Sequence, residues 1–185
     1  CLFEPLANCI GKAVPGFDLA VLDAAGNETS NEGDIAIRKG AASMMLGYWG
    51  KPKETAEKFK GEWMLTGDRG IRVGDHLRFI AREDDVITSS GYRIGPAEIE
   101  DCLLAHDMVA TVGVIGKPDA LRTEIVKAYV VLKEGASPSE DLVNELQVFV
   151  KERLASYSYP REIEFLDVLP LTVTGKVIRK DLKAR

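Results

Sequence analysis

Ala81-Arg-Glu-Asp-Asp-Val-Ile-Thr-Ser-Ser-Gly-Tyr-Arg-Ile-Gly-Pro-Ala-Glu-Ile-Glu100 is the stretch on which the fold turns. It opens charged, runs through a polar glycine-bearing middle, and ends on a proline suited to the first position of a helix. Before it the chain reads as short strands and turns. Phe17–Leu22 is apolar and runs into a hairpin turn at Asp23-Ala-Ala-Gly-Asn27, and Asp34–Arg38 alternates with Ile35 and Ile37 on one face. A short helix is expected after Pro52. Trp63–Leu65 and His76–Ile80 are two more strands, with a polar turn at Thr66-Gly-Asp-Arg-Gly70. After the stretch the texture is mixed. Pro96–His106 carries Ile99, Cys102 and Leu103 at helical spacing, and Thr111–Ile115 and Ile125–Leu132 are Val/Ile-rich strands. Ser137-Pro-Ser-Glu140 predicts a helix start with Ser137 as N-cap, Pro138 at N1 and Glu140 closing a capping box. That helix carries Leu142, Leu146, Phe149 and Val150 down one side and runs to about Ala155; Glu162–Val168 follows as a strand and Val177–Lys183 as a terminal helix. The fold class predicted is α+β: a small β-rich subdomain over 1–81, a boundary at 82–85, and a compact α+β C-terminal domain over 86–185.

Composition narrows the function classes. The chain has 185 residues, 45% apolar and 29% charged, which suits a globular protein and not a disordered one. Lys plus Arg number 24 against 29 Asp plus Glu, a net charge of −5 with no basic block, so nucleic acid and anionic membranes are poor partners. No apolar run approaches the length of a membrane span. The three cysteines, Cys1, Cys9 and Cys102, form no CxxC, and the two histidines, His76 and His106, are isolated; a reducing, cytoplasmic setting without a metal site is expected. Charge is uneven, at −1 over 1–81, −7 over 82–148 and +3 over 149–185. The positive end is either an anion-facing edge or a solvated helical tail. The chain begins at Cys1 on what reads as mid-fold strand sequence, with no leader, and is expected to be a piece of a longer polypeptide.

Four patches are glycine-bearing or polar and build no core: Leu65–Arg69, Arg82–Val86, Thr88–Pro96 and Leu171–Lys176. Singly, each has an ordinary reading as a turn or a solvated loop. Gly175-Lys176 has the end of a phosphate-binding loop, but position 170 is proline where that loop needs glycine, so the assignment fails.

Taken in order and spacing, the patches resemble the adenylate-forming superfamily, specifically its acetyl- and medium-chain acyl-CoA synthetase branch. Ala81–Glu100 resembles the family's Gly-Arg-x-Asp-Asp stretch, with Ala81 replacing the usual glycine, and Pro170-Leu-Thr-Val-Thr-Gly-Lys-Val-Ile-Arg179 resembles its C-terminal lysine loop. The resemblance implies a ligase of two steps. A carboxylate attacks the α-phosphate of ATP to give acyl-adenylate and pyrophosphate, and the thiol of coenzyme A then displaces AMP. Mg2+ is expected with the ATP, and short- or medium-chain acids of fatty-acid metabolism are the expected substrates.

Carried over residue by residue, the resemblance assigns Lys176 as the catalytic lysine of adenylation, where an ammonium between carboxylate and α-phosphate stabilises developing charge. It gives Asp68 the ribose hydroxyls, Arg82 the sugar from the boundary, and Arg93 the phosphate or acyl end. It puts Ser90, Gly91 and Tyr92 beside the pantetheine arm of CoA, with Arg122, Lys151, Tyr159, Pro160 and Arg161 around its nucleotide end. It makes Asp84 the hinge on which one small domain alternates between adenylation and thioester formation. The family's phosphate loop and most of its acyl pocket do not occur in this sequence, so 1–81 corresponds to the end of a large AMP-binding domain missing upstream, and the chain alone is expected to be inactive. Two rivals stand beside this reading: an amino-acid-activating domain of peptide assembly, and a non-catalytic binding module.

Overall fold

The computed structural model describes residues 3–185. Cys1, on which the expectation about the chain's beginning rests, lies outside the described residues. Two compact units divide between Asp84 and Asp85.

The first unit is an antiparallel sheet in the order β1-β2-β4-β3, with β5 also pairing β4. Its strands are β1 (Leu19–Leu22), β2 (Gly33–Arg38), β3 (Phe59–Lys60), β4 (Trp63–Val73) and β5 (His76–Arg82), with a helical segment α1 (Pro52–Glu57) before β3. The Asp23–Asn27 turn forms with the Asp23 N–H on the Asn27 carbonyl at 2.8 Å. Ala20, Leu22, Ala36 and Trp63 bury one face while Val21, Ile35 and Leu77 bury the other, so β1 and β2 are packed on both sides. The expected turn at Thr66–Gly70 is not a turn. It is the middle of the 11-residue strand β4, kept in the sheet by pairing with β2 and β5 on its two edges. The polar and glycine residues are accommodated by a bulge, since Leu65 pairs with Ala36 and Arg69 with Asp34, leaving the intervening β4 residues in excess.

The second unit has three layers. Its sheet runs β10-β9-β6-β7 with β8 also pairing β9, from β6 (Ile87–Ser89), β7 (Tyr92–Ile94), β8 (Val109–Asp119), β9 (Thr123–Leu132) and β10 (Glu162–Phe165). All pairs are antiparallel except β10 with β9. Helices α2 (Pro96–Leu104) and α3 (Glu140–Arg153) cover one face, where Ile99, Leu103, Leu142, Leu146 and Val150 meet Val112, Val114, Val126, Ala128 and Val130. Alternate residues Ile115 and Tyr129 face the other side, under Leu169 and Leu182 of the terminal segment that ends in α4 (Arg179–Lys183). α3 starts two residues later than the capping box predicted. Ser139 is the N-cap, its hydroxyl accepting the Leu142 N–H at 3.1 Å, while Pro138 lies before the helix. α3, β10 and α4 are each shorter than expected, and a hairpin of two strands, β6 and β7, stands before α2 where the sequence order of elements predicts one strand.

Gly113 on β8 sets how closely the terminal segment packs. A Cβ there would lie 2.8 Å from Leu182 Cδ1 and 2.9 Å from Val177 Cγ1. Gly113→Val should therefore lift α4 and the preceding loop off the sheet at a cost of about 1–3 kcal/mol. Thermal unfolding checks it; a melting temperature equal to the parent's would mean the segment is not seated on β8 in solution.

Candidate functional site

In the first unit the β4 bulge positions a carboxylate. Thr66 Oγ1 donates to the Ile35 carbonyl at 2.9 Å and accepts the Asp68 N–H at 3.1 Å, which fixes the backbone at Asp68. Asp68 and Arg82 are cross-strand partners, and Arg82 Nε lies 3.6 Å from Asp68 Oδ1 and 3.5 Å from Asp84 Oδ1. Three of the residues singled out from the sequence thus meet around one guanidinium. Arg82 is 53% exposed, so these long pairs add little to stability. Gly67, at φ +86°, sits under Lys58 Nζ and the Arg82 guanidinium, and beside it opens a cleft of about 450 Å³ lined by Tyr48, Glu54, Glu57 and Lys58 among others.

Sequence reasoning missed Arg69. Its buried guanidinium reaches Glu32 at 3.0 Å, Asp34 at 2.9 Å and Glu83 at 3.2 Å. Burial opposes its charge, but the carboxylates of Glu32 and Glu83 outweigh that and hold it firmly protonated. Together with the Glu83 N–H on the Gly67 carbonyl at 2.9 Å, this fastens Glu83 to the first unit. An arginine inside a glycine-bearing strand gives no sequence signal of such a node.

In the second unit the β6–β7 hairpin turns through Ser90 (φ 51°) and Gly91 (φ 83°), both left-handed, as a two-residue hairpin requires. Its tip docks on the β8–β9 turn, where Asp119 Oδ1 accepts the N–H groups of Leu121 and Arg122 and the Arg122 carbonyl accepts the Ser90 N–H at 2.9 Å. Ser90, Gly91, Tyr92 and Arg122 are so brought together. Lys151, at the end of α3, places its ammonium 4.0 Å from the Tyr159 ring centroid, and the Arg161 guanidinium lies 5.0 Å from the same centroid. Arg161 Nη1 also donates to Tyr159 Oη at 2.9 Å. Pro160 is buried between them in sequence and the Arg161 N–H bonds the Val126 carbonyl, so the segment is pinned to β9. Tyr157, which sequence reasoning did not single out, stacks on Tyr92 at 4.0 Å with 9° between planes. Arg93 lies on the strand face opposite Tyr92, cross-strand from Thr88.

Lys176 sits in a small closed loop. Leu171 bridges Val177, the Thr172 N–H bonds the Lys176 carbonyl at 2.8 Å, and Thr172 Oγ1 accepts the Lys176 N–H at 3.0 Å. Gly175 makes the turn at φ +81° with nothing within 4 Å of where a Cβ would lie. The lysine is exposed, and among the described residues its ammonium has no ion-pair partner. Arg179 anchors the loop: its guanidinium meets Glu100 at 2.9 and 2.7 Å and Asp85 at 3.1 Å, and its Nε donates to the Val114 carbonyl at 3.3 Å. Nη2 alone meets both Glu100 oxygens while Nη1 takes Asp85 and Nε the Val114 carbonyl, and this spread of three nitrogens over three partners is what arginine supplies and lysine does not.

The remaining charge shifts are structural. Lys127 is buried against the Tyr129 ring; burial disfavours its charge, yet hydrogen bonds to Glu162 and Glu164 hold it well above the ordinary lysine range. Glu162 is held low by Lys117 and Lys127. Burial pushes the Cys102 thiol up against the pull of Arg153, which leaves it a poor nucleophile. Among the described residues no group of three or more His, Cys, Asp or Glu is arranged to hold a metal ion, and no helix is long and apolar enough to cross a membrane.

Comparison with known proteins finds relatives of nearly the whole chain. Residues 98–176 match the AMP-binding enzyme C-terminal domain. The chain is 45% identical over 179 residues to acetyl-coenzyme A synthetase of Bacillus subtilis (strain 168), covering 95% of this chain and 31% of that protein. It is 42% identical over 184 residues to mitochondrial acyl-coenzyme A synthetase ACSM1 of Homo sapiens, covering 95% and 32%. The crystal structure of the anthranilate CoA ligase AuaEII with anthranoyl-AMP superposes at a TM-score of 0.84 with 33% identity, over 98% of this chain and 35% of that one. The chain spans about a third of the length of the curated relatives it matches.

Proposed function

Residues 98–176 belong to the AMP-binding enzyme C-terminal domain family, and from that premise we propose that this chain supplies the C-terminal part of an AMP-forming acyl-CoA synthetase. It acts with a larger AMP-binding domain of the same polypeptide, whose corresponding length the relatives have and this chain does not. The observation that carries the reading is that the second unit presents two separate chemical features. One is a lysine on a glycine loop with no competing ion pair among the described residues; the other is a cationic and aromatic surface made of Ser90, Gly91, Tyr92, Arg122, Lys151, Tyr159 and Arg161, of which the buried Pro160 is no part.

In the adenylation step Lys176 stabilises the charge that builds between the carboxylate and the α-phosphate. Asp68 accepts hydrogen bonds from the ribose hydroxyls, Arg82 contacts the sugar, and Arg93 the phosphate or acyl end. ATP would bring Mg2+ as its counter-ion, and the described residues offer no cluster to hold it. In the second step the pantetheine arm of CoA lies along the hairpin tip, where Gly91 lets it approach the backbone, and the CoA phosphates meet Arg122, Lys151 and Arg161. Asp84 is the joint between the two geometries. It is 78% exposed and lies between two fastened neighbours, Glu83 on the Gly67 carbonyl and Asp85 on Arg179. The acid is of short or medium chain, in line with a relative named for acetyl-coenzyme A, and the location is cytoplasmic.

The product pattern of the whole polypeptide tests the reading. With ATP, CoA and a series of linear acids it should give AMP, pyrophosphate and acyl-CoA, with pyrophosphate release that needs acid but not CoA. ADP and phosphate as products would overturn it, as would an acyl-adenylate discharged only by a carrier-protein pantetheine and not by free CoA.

A further inference from the structure

We propose that Tyr157 is a positioning residue for the thiol substrate, its ring holding the Ser90-Gly91-Tyr92 hairpin tip in register with the Lys151–Tyr159–Arg161 cluster so that both grip one extended, phosphate-bearing thiol. The inference rests on the CoA reading above and deepens it.

The hairpin cannot hold its own tip. Each of its strands is three residues long, its ladder to β9 consists of Ser89 opposite Thr123, and the tip adds only the Ser90 N–H to the Arg122 carbonyl. Ile87 and Ile94 seat the base of the hairpin in the core and the Thr88 N–H bonds Glu124, but the Tyr92 ring stands outside that core at half exposure and needs a further hold of its own. The Tyr157 ring supplies it by lying flat on Tyr92 at 4.0 Å and 9°.

Tyr157 is itself well fixed. The next residue, Ser158, is 4% exposed and bonds the Ala155 carbonyl at 2.8 Å; Pro160 is buried; and the Arg161 N–H bonds the Val126 carbonyl at 2.9 Å. The same short segment carries Tyr159, which Lys151 and Arg161 flank. The stack therefore joins a weakly held tip to a firmly held segment, and it joins the two groups of residues assigned to the arm and the phosphates of CoA. Both rings remain partly open to solvent, at 50% for Tyr92 and 42% for Tyr157, so the pair stands at a surface and not in a core. Among the described residues no partner is recorded for the Tyr157 hydroxyl, which predicts that phenylalanine serves as well.

In the whole polypeptide, Tyr157→Ala should raise KM for CoA about tenfold or more, a loss of ~1.4 kcal/mol or more, while acid-dependent pyrophosphate release without CoA stays at the parent rate. Tyr157→Phe should restore the parent KM. Arg161→Ala, measured alongside, separates the two levels of the argument. A raised CoA KM for Arg161→Ala with an unchanged one for Tyr157→Ala overturns the positioning role and leaves the CoA surface standing. An unchanged KM for both overturns the CoA surface itself. Loss of both half-reactions in Tyr157→Ala without rescue by phenylalanine marks a merely structural residue and overturns the proposal.

Discussion

Lys176→Ala in the whole polypeptide should slow acyl-adenylate formation by about 10²–10³-fold, the loss seen when one preorganised charge-stabilising donor is removed. Thioester formation from supplied acyl-adenylate should keep most of its rate. The reason is local. The loop around Lys176 is held at its base by Thr172 and tied to the rest of the unit through Arg179, so the alanine variant should fold normally. The ammonium is exposed and takes part in no packing, so removing it subtracts charge and leaves the core untouched. The surface proposed for CoA is built on other elements, the β6–β7 hairpin and the segment after α3. Pyrophosphate release without CoA and acyl-CoA formation from synthetic acyl-adenylate are the paired measurements; equal loss of both contradicts the assignment.

Asp84→Pro should lower the steady-state rate of CoA ligation by about 10²-fold, the size of loss a misplaced reactive group produces, while one half-reaction persists. Proline fixes φ near −65° and also restricts the residue before it. At most exposed positions that matters little. Here Glu83 is bonded to the Gly67 carbonyl and Asp85 to Arg179, so a rotation between those two residues would fall on the Asp84 backbone. Which half-reaction survives reports which geometry proline locks. An unchanged ligation rate would move the joint elsewhere. Asp84→Ala is the control, since it removes the carboxylate that faces Arg82 without restricting the backbone.

Much of the architecture is legible in the residues, and the exceptions share a cause. Val112, Val114, Val126, Ala128 and Val130 alternate with residues of the opposite face, and Leu142, Leu146 and Val150 recur at helical spacing; such periodicities survive folding because burial enforces them. Thr66–Gly70 fails as a turn because two neighbouring strands supply hydrogen bonds that local propensity cannot anticipate, and the bulge absorbs the mismatch. The start of α3 slips from Ser137 to Ser139 because either serine can serve as an N-cap, and the bond from the Leu142 N–H to Ser139 Oγ outweighs the capping-box pattern that favours Ser137. The hairpin of β6 and β7 hides in three-residue strands, each with a single core isoleucine, which join the sheet at Thr123 and Arg122, far along the chain. The site divides in the same way. Lys176, Asp68, Arg82 and the hairpin tip are visible as motifs, and the folded chain brings Asp68 to Arg82 and Ser90 to Arg122. The stack of Tyr157 on Tyr92, the Arg69 node and the Arg179 clamp are contacts between distant segments, and no spacing rule announces them.

The central claim is that one small unit carries the determinants of two successive reactions on separate features, and it has a direct test. The two half-reactions are measured separately, by pyrophosphate release in the absence of CoA and by acyl-CoA formation from supplied acyl-adenylate, for Lys176→Ala and Arg161→Ala of the whole polypeptide. The account predicts a crossed result, with Lys176→Ala losing the first and keeping the second, and Arg161→Ala keeping the first while its demand for CoA rises. Parallel losses in both variants, or no loss in either, would contradict it.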